Sequence, residues 1–173
     1  FYFILKWTPK IVADMGFAPG LAAGVLVWAN VGGALGGALF GLLTLRYGLK
    51  PLTLAALLFS FIMVSAFGRG PDDLTQLAIM AGAAGFFTEA GIVGLYSVLA
   101  QVFPTHLRAS GTGFAIGMGR GGAALAPILA GLLFQAGYGL QAVAIVMGSG
   151  SLIAAGALLF LRHASLSQST KQS

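Results

Sequence analysis

Two opposite charges lie deep inside apolar runs. Glu89 is the only charge between Asp73 and Arg108, and Arg120 the only one between Arg108 and Arg162. On membrane-insertion scales a charge at a helix centre costs about 2.5–3.5 kcal/mol, so partners or water are expected beside each. The guanidinium fork of Arg120 suits an anionic substrate, because its two parallel N–H donors match the two oxygens of a carboxylate. Glu89 can take a proton or accept from a polar substrate group. The competing reading of the two is a structural ion pair that fixes helix packing. Measured from Gln101 and Ala109 at 1.5 Å per residue, they lie at about 18 and 16 Å, both close to a bilayer midplane. Equal depth on consecutive antiparallel helices permits a contact without requiring one. Counting by i+3/i+4 places Gly82, Gly85 and Tyr96 on the face of Glu89. The glycines leave room beside the carboxylate, and Tyr96 offers either a hydroxyl or an interfacial anchor.

Other candidates have plainer alternatives. Asn30, in mid-span, fits a substrate contact or a helix–helix hydrogen bond. Trp7, with Tyr2, can line a cavity that accepts aromatic groups or belong to an aromatic belt. His106 lies in a polar turn, as a solvated residue or a pH sensor. Pro104 and Pro127 shape helices, and a proline kink can serve a moving one. No hydrolytic triad, phosphate loop or metal-ligand cluster is present, so an enzyme is not expected, nor a cofactor. The two histidines stand 57 positions apart, and there is no cysteine for a disulfide or thiolate site.

The elements that position these residues are transmembrane helices. Of 173 residues, 58% are hydrophobic and 8% charged, against about 25% charged in a soluble domain. Mean hydropathy is +0.94. The apolar runs are continuous, not the alternating segments of roughly 10 residues found in a β-barrel. Five spans are expected, at Pro19–Leu45, Leu52–Phe67, Leu74–Ala100, Gly111–Gln135 and Leu140–Leu161. Phe1–Ala13 is a sixth piece that reaches only about 20 Å, short of the ~30 Å core. With Phe and not Met first, it reads as a chain cut inside a helix, without a signal peptide's basic leader. The net charge of +5 is dispersed at span ends, so no nucleic-acid partner is expected. The partner is the lipid bilayer.

Charge bias gives orientation. Arg46, Lys50, Arg108, Arg162 and Lys171 fall on one side. Lys6, Lys10 and Arg69, with Asp14, Asp72 and Asp73, fall on the other. The first side is cytoplasmic by the positive-inside rule, including the loops at 46–51 and 101–110. Residues 1–162 form the helical bundle and residues 163–173 a polar cytoplasmic tail, expected to be disordered. Leu52–Phe67, without charge or glycine, should face lipid. Gly33, Gly37 and Gly41 repeat at i, i+4 and i+8, as do Gly113, Gly117 and Gly121. Such ridges let another helix approach closely, within this chain or from a partner domain.

The stretch from Gly41 to Lys50 resembles the short cytoplasmic motif G-x-x-x-D-R-x-G-R-R/K of the major facilitator superfamily. Gly41, Arg46, Gly48 and Lys50 match, and Leu45 stands at the acidic position. The turn from Pro104 to Gly113 is similar to the P-T-x-x-R-A-x-G-x-G turn of sugar- and organic-ion-type members, with Pro104, Thr105 and Arg108 in register. The helix from Gly117 to Ala123, with Arg120 and the later Pro127, resembles the G-x-G-R-x-G-A helix of aromatic acid:proton symporters. The resemblance implies an all-α transmembrane fold, the C-terminal six-helix bundle of a twelve-helix transporter with its first helix truncated. Helices 7 and 10 would line the cavity, 9 and 12 face lipid, and 8 and 11 meet the missing N-terminal six-helix half. It further implies alternating-access uptake, through the plasma membrane, of an aromatic or other small organic acid with the proton as coupling ion. A sugar-like or other metabolite remains an alternative substrate, and a homodimeric half-size transporter or a non-transporting membrane scaffold an alternative function.

Overall fold

Long apolar runs without charge fold as helices in a bilayer because hydrocarbon offers the backbone no other hydrogen-bond partner. The computed structural model describes residues 2–14, 16–69 and 73–169, with the backbone alone for Tyr2, Pro19 and residues 161–169. Among the described residues six α-helices run in order, with one short 3-10 turn at Pro19–Leu21 ahead of the second: α1 (Tyr2–Asp14), α2 (Ala22–Tyr47), α3 (Leu49–Phe67), α4 (Leu74–Val102), α5 (Arg108–Gln135) and α6 (Leu140–Ser169). Five of them, α2 to α6, are long and apolar enough to cross a membrane. The chain is an integral membrane protein. Helix α6 continues past His163, where irregular chain was expected. The topology residues Asp72 and Lys171 lie outside the described residues, as does the side chain of Arg162.

The connections follow local chemistry. Asp73 caps α4, its carboxylate accepting from the Thr75 N–H at 3.3 Å. Phe103 is extended ahead of Pro104, as the residue before a proline prefers, and there α4 stops. The Leu107 N–H then donates to the Pro104 carbonyl at 3.0 Å, and α5 begins. Gly48 joins α2 to α3 at φ 80° and ψ 151°, a region that essentially only glycine occupies. Gly48→Ala is expected to destabilise the chain by about 1–3 kcal/mol, read as a lower thermal midpoint in detergent.

Helices α2 and α4 make the closest approach. A methyl group on Gly32 would collide with the Gly82 carbonyl, one on Gly36 with that of Phe86, and one on Gly85 with that of Ala29. Backbones in such contact gain the dispersion that substitutes for a hydrophobic drive inside lipid. Helix α3 shows Leu58, Phe59 and Ile62 on its outer side. Its other side is not lipid-facing, since it packs on α4 and α6 and buries Thr53 and Ser60 there. The Ser60 hydroxyl meets that of Thr88 at 2.8 Å and that of Ser151 at 3.4 Å, tying α3, α4 and α6 together. A core of Ile4, Val12, Val25, Phe67, Leu77 and Val143 closes one end of the bundle.

Helix α5 is different. Ala130 is its only buried residue. Phe114, Met118, Leu125 and Ile128 are all more than half exposed. It meets α1 through Trp7, whose ring lies 4.6 Å from Phe134, and through Gly131.

Candidate functional site

Glu89 stands at the middle of α4 and Arg120 near the middle of α5, where the sequence count puts both at mid-depth. The fold brings them to one cavity of about 540 Å³, within the 300–1,000 Å³ usual for small-molecule sites. Tyr96, two turns beyond Glu89, lines the same cavity. Phe3 and Leu5 of α1, Ile92 and Leu95 of α4 and Met147 of α6 supply apolar wall. Gly119, Ala123 and Ala126 keep the α5 side low around Arg120.

The two charges share the cavity without pairing. Among the described residues the one ion pair is Lys10 to Asp14, at 2.9 Å on the surface of α1. The structural ion-pair reading of Glu89 and Arg120 is therefore not what the structure shows. Gly33 of α2 lies opposite the stem of Glu89, and an added Cβ there would come to ordinary contact, 3.6 Å from the Glu89 Cβ. So α2 backs α4 at the acid, and the carboxylate is offered to the cavity. The arrangement presents a cation, an anion and a phenol on apolar ground. It can grip a small amphipathic ion by its charged end and still contact its other end.

Two other candidates stand elsewhere. Asn30 is exposed on α2 and spends its amide N–H on its own helix, donating to the Leu26 carbonyl at 2.7 Å. Trp7 packs on α5, and its buried indole N–H has no partner. Neither lines the cavity. Trp7 misses it because its ring fills the space that Gly131 leaves between α1 and α5.

The glycine ridges divide. Gly33 and Gly37 face α4, against Glu89 and Val93, so the α2 ridge works within this chain. Gly41 meets nothing within 4 Å. Gly113, Gly117 and Gly121 are also open, on the bare side of α5. Of the loop residues, Arg46 lies over the Tyr47 ring at 5.7 Å, while Gly48 and the Pro104 turn, with Thr105 and Arg108, stand at helix ends and do not line the cavity. Lys50 lies in the first turn of α3. Sequence reasoning missed Ile92 and Leu95, although helical spacing from Glu89 reaches them. It also missed Phe3, Leu5 and Met147, which come from other helices and leave no signal in spacing.

Comparison with known proteins follows the same line. A family model described as Major Facilitator Superfamily matches residues 1–173. The chain is 32% identical to a 3-(3-hydroxy-phenyl)propionate transporter of Escherichia coli, over 92% of this chain and 40% of that protein. It is 34% identical to a benzoate transport protein of Acinetobacter baylyi, over 78% of this chain and 28% of that one. A gallate transporter of Pseudomonas putida is 26% identical over 95% of this chain and 37% of its own length. The chain thus spans well under half the length of these relatives. No solved structure matches it.

Proposed function

Because the chain belongs to the Major Facilitator Superfamily, we propose that it forms the second half of a secondary transporter for an aromatic or other small organic acid. The observation that carries this reading is the placement of Arg120, Glu89 and Tyr96 on one mid-depth cavity. Arg120 anchors the substrate carboxylate through its fork. The apolar wall receives the ring. The names of the relatives, transporters of 3-(3-hydroxy-phenyl)propionate, benzoate and gallate, support the same substrate class. A six-helix N-terminal half would complete the site, and the bare α5 face with Gly113, Gly117 and Gly121 is suited to meet it. The two bundles rock about the midplane to expose the cavity to either side, and uptake is coupled to protons. The membrane is the cell's inner membrane, with the loops at 46–51 and 101–110 and the C-terminal end cytoplasmic.

The test is uptake of radiolabelled 4-hydroxybenzoate and 3-phenylpropionate by cells expressing the twelve-helix protein that contains this chain. Saturable uptake that other aromatic acids compete and glucose does not is expected, collapsing when a protonophore is added. Uptake competed by glucose, or equal to that of empty cells, would refute the substrate class. Insensitivity to the protonophore would refute the coupling.

A further inference from the structure

Glu89 and Arg120 occupy one cavity, and among the described residues neither makes a side-chain hydrogen bond or an ion pair. In that cavity the carboxylate finds no protein donor and the guanidinium no protein acceptor, so water or a ligand must serve them. The ground around them is hydrocarbon, from Phe3, Ile92, Leu95 and Met147. A monocarboxylate held by Arg120 satisfies the cation and the apolar wall, and it brings nothing to the anion.

The geometry points to Glu89 as a specificity-determining residue that selects, among aromatic carboxylates, those bearing a ring hydroxyl. This rests on the reading of Arg120 as the carboxylate anchor. A hydroxylated ring carries an acceptor at one end and an O–H donor at the other, with a flat apolar body between. Its carboxylate meets the Arg120 fork, and its phenolic O–H donates to the Glu89 carboxylate. An unsubstituted ring instead turns a C–H edge towards Glu89 and displaces water from it. A site built to accept from a substrate hydroxyl discriminates against the analogue that lacks it, since its own polar group is left unmet. With Glu89 only half-buried, the discrimination is expected at roughly tenfold to a hundredfold, below that of a sealed site. Tyr96 lines the same cavity and is the competing hydroxyl partner.

The experiment compares paired acids, 4-hydroxybenzoate with benzoate and 3-(3-hydroxyphenyl)propionate with 3-phenylpropionate. It uses the twelve-helix protein containing this chain, and reads Vmax/KM for uptake together with equilibrium binding to purified protein. The expected parental preference for the hydroxylated member is about tenfold or more in both readouts. Glu89→Leu is expected to reduce that preference to within about threefold, chiefly by raising KM and the dissociation constant for the hydroxylated acid. Glu89→Gln, nearly isosteric and still presenting a carbonyl acceptor, should keep an intermediate preference, and Tyr96→Phe the parental one. Equal parental handling of both members overturns the selection and leaves the transport reading standing. A preference unchanged in Glu89→Leu, or abolished by Tyr96→Phe, overturns it as well. Loss of uptake of all four acids in Glu89→Gln, with binding preference intact, assigns Glu89 to coupling and overturns it too. A parent that carries none of the four acids defeats the transport reading itself.

Discussion

Arg120→Ala is expected to cut Vmax/KM for an aromatic carboxylate by about thirtyfold to several thousandfold, the range for truncating one partner of a charged, hydrogen-bonded contact by 2–5 kcal/mol. Two effects add. The fork that matches the carboxylate is lost, and Glu89 becomes the only charge on the cavity wall, so an incoming anion meets an anion. Arg120→Lys keeps the charge and loses the planar two-donor geometry, so an intermediate loss of about tenfold is expected. Folding should not confuse the result. Arg120 is exposed on α5, and its removal takes a charge costing about 2.5–3.5 kcal/mol out of a spanning helix. Uptake normalised to the amount of membrane-inserted protein is the measurement. Parental rates in both variants would show that the arginine does not hold substrate.

The second large effect concerns assembly. Gly36→Ala and Gly85→Ala each place a methyl group into a carbonyl of the facing helix, at Phe86 and at Ala29. Backbone cannot rotate away as a side chain can, so α2 and α4 must separate along their most extensive contact. Each substitution is expected to cost about 3 kcal/mol, the upper end for overpacking. The pair together should leave little folded protein by size-exclusion chromatography in detergent. Gly41→Ala is the control on the same helix, since nothing lies within 4 Å of its added Cβ and alanine is the better helix former. If Gly36→Ala and Gly41→Ala behave alike, the close approach of α2 and α4 is wrong.

That contrast marks what the sequence could and could not reveal. Hydropathy located all five spans to within a few residues except at the end of α6, because lipid leaves a long apolar run no other fold. Depth along a helix is also one-dimensional, so Glu89 and Arg120 could be matched by counting. Rotation about the axis was harder. Gly32-Gly33 and Gly36-Gly37 are adjacent pairs, and either register satisfies a small-xxx-small ridge. The sequence reading took Gly33, Gly37 and Gly41, while the tightest contacts fall on Gly32 and Gly36. An apolar helix has no polar face to break that tie. The same blindness hid the Ser60, Thr88 and Ser151 cluster, whose members come from three helices. It also sent Trp7 towards the cavity, when the shape of Gly131 draws it to α5.

Helix α5 touches α1, α4 and α6, yet it buries one residue only, Ala130. Its contact with Trp7 of α1 lies at Gly131 and Phe134, near the helix's own proline, Pro127, which leaves the carbonyl four residues earlier without its helical partner. Arg120 sits ten residues before Ala130, about 15 Å along the axis. Were α5 to pivot at the Trp7 contact, it would act as a lever whose working point is the guanidinium. A tilt of about 10° at the fulcrum carries the root of Arg120 by roughly 2–3 Å, close to one hydrogen-bond length. Glu89 stands on α4, which α2 approaches closely at Gly32, Gly36 and Ala29. Such a tilt would change the span between the two charges, because one stands on the tightly packed α4 and the other on the sparsely buried α5.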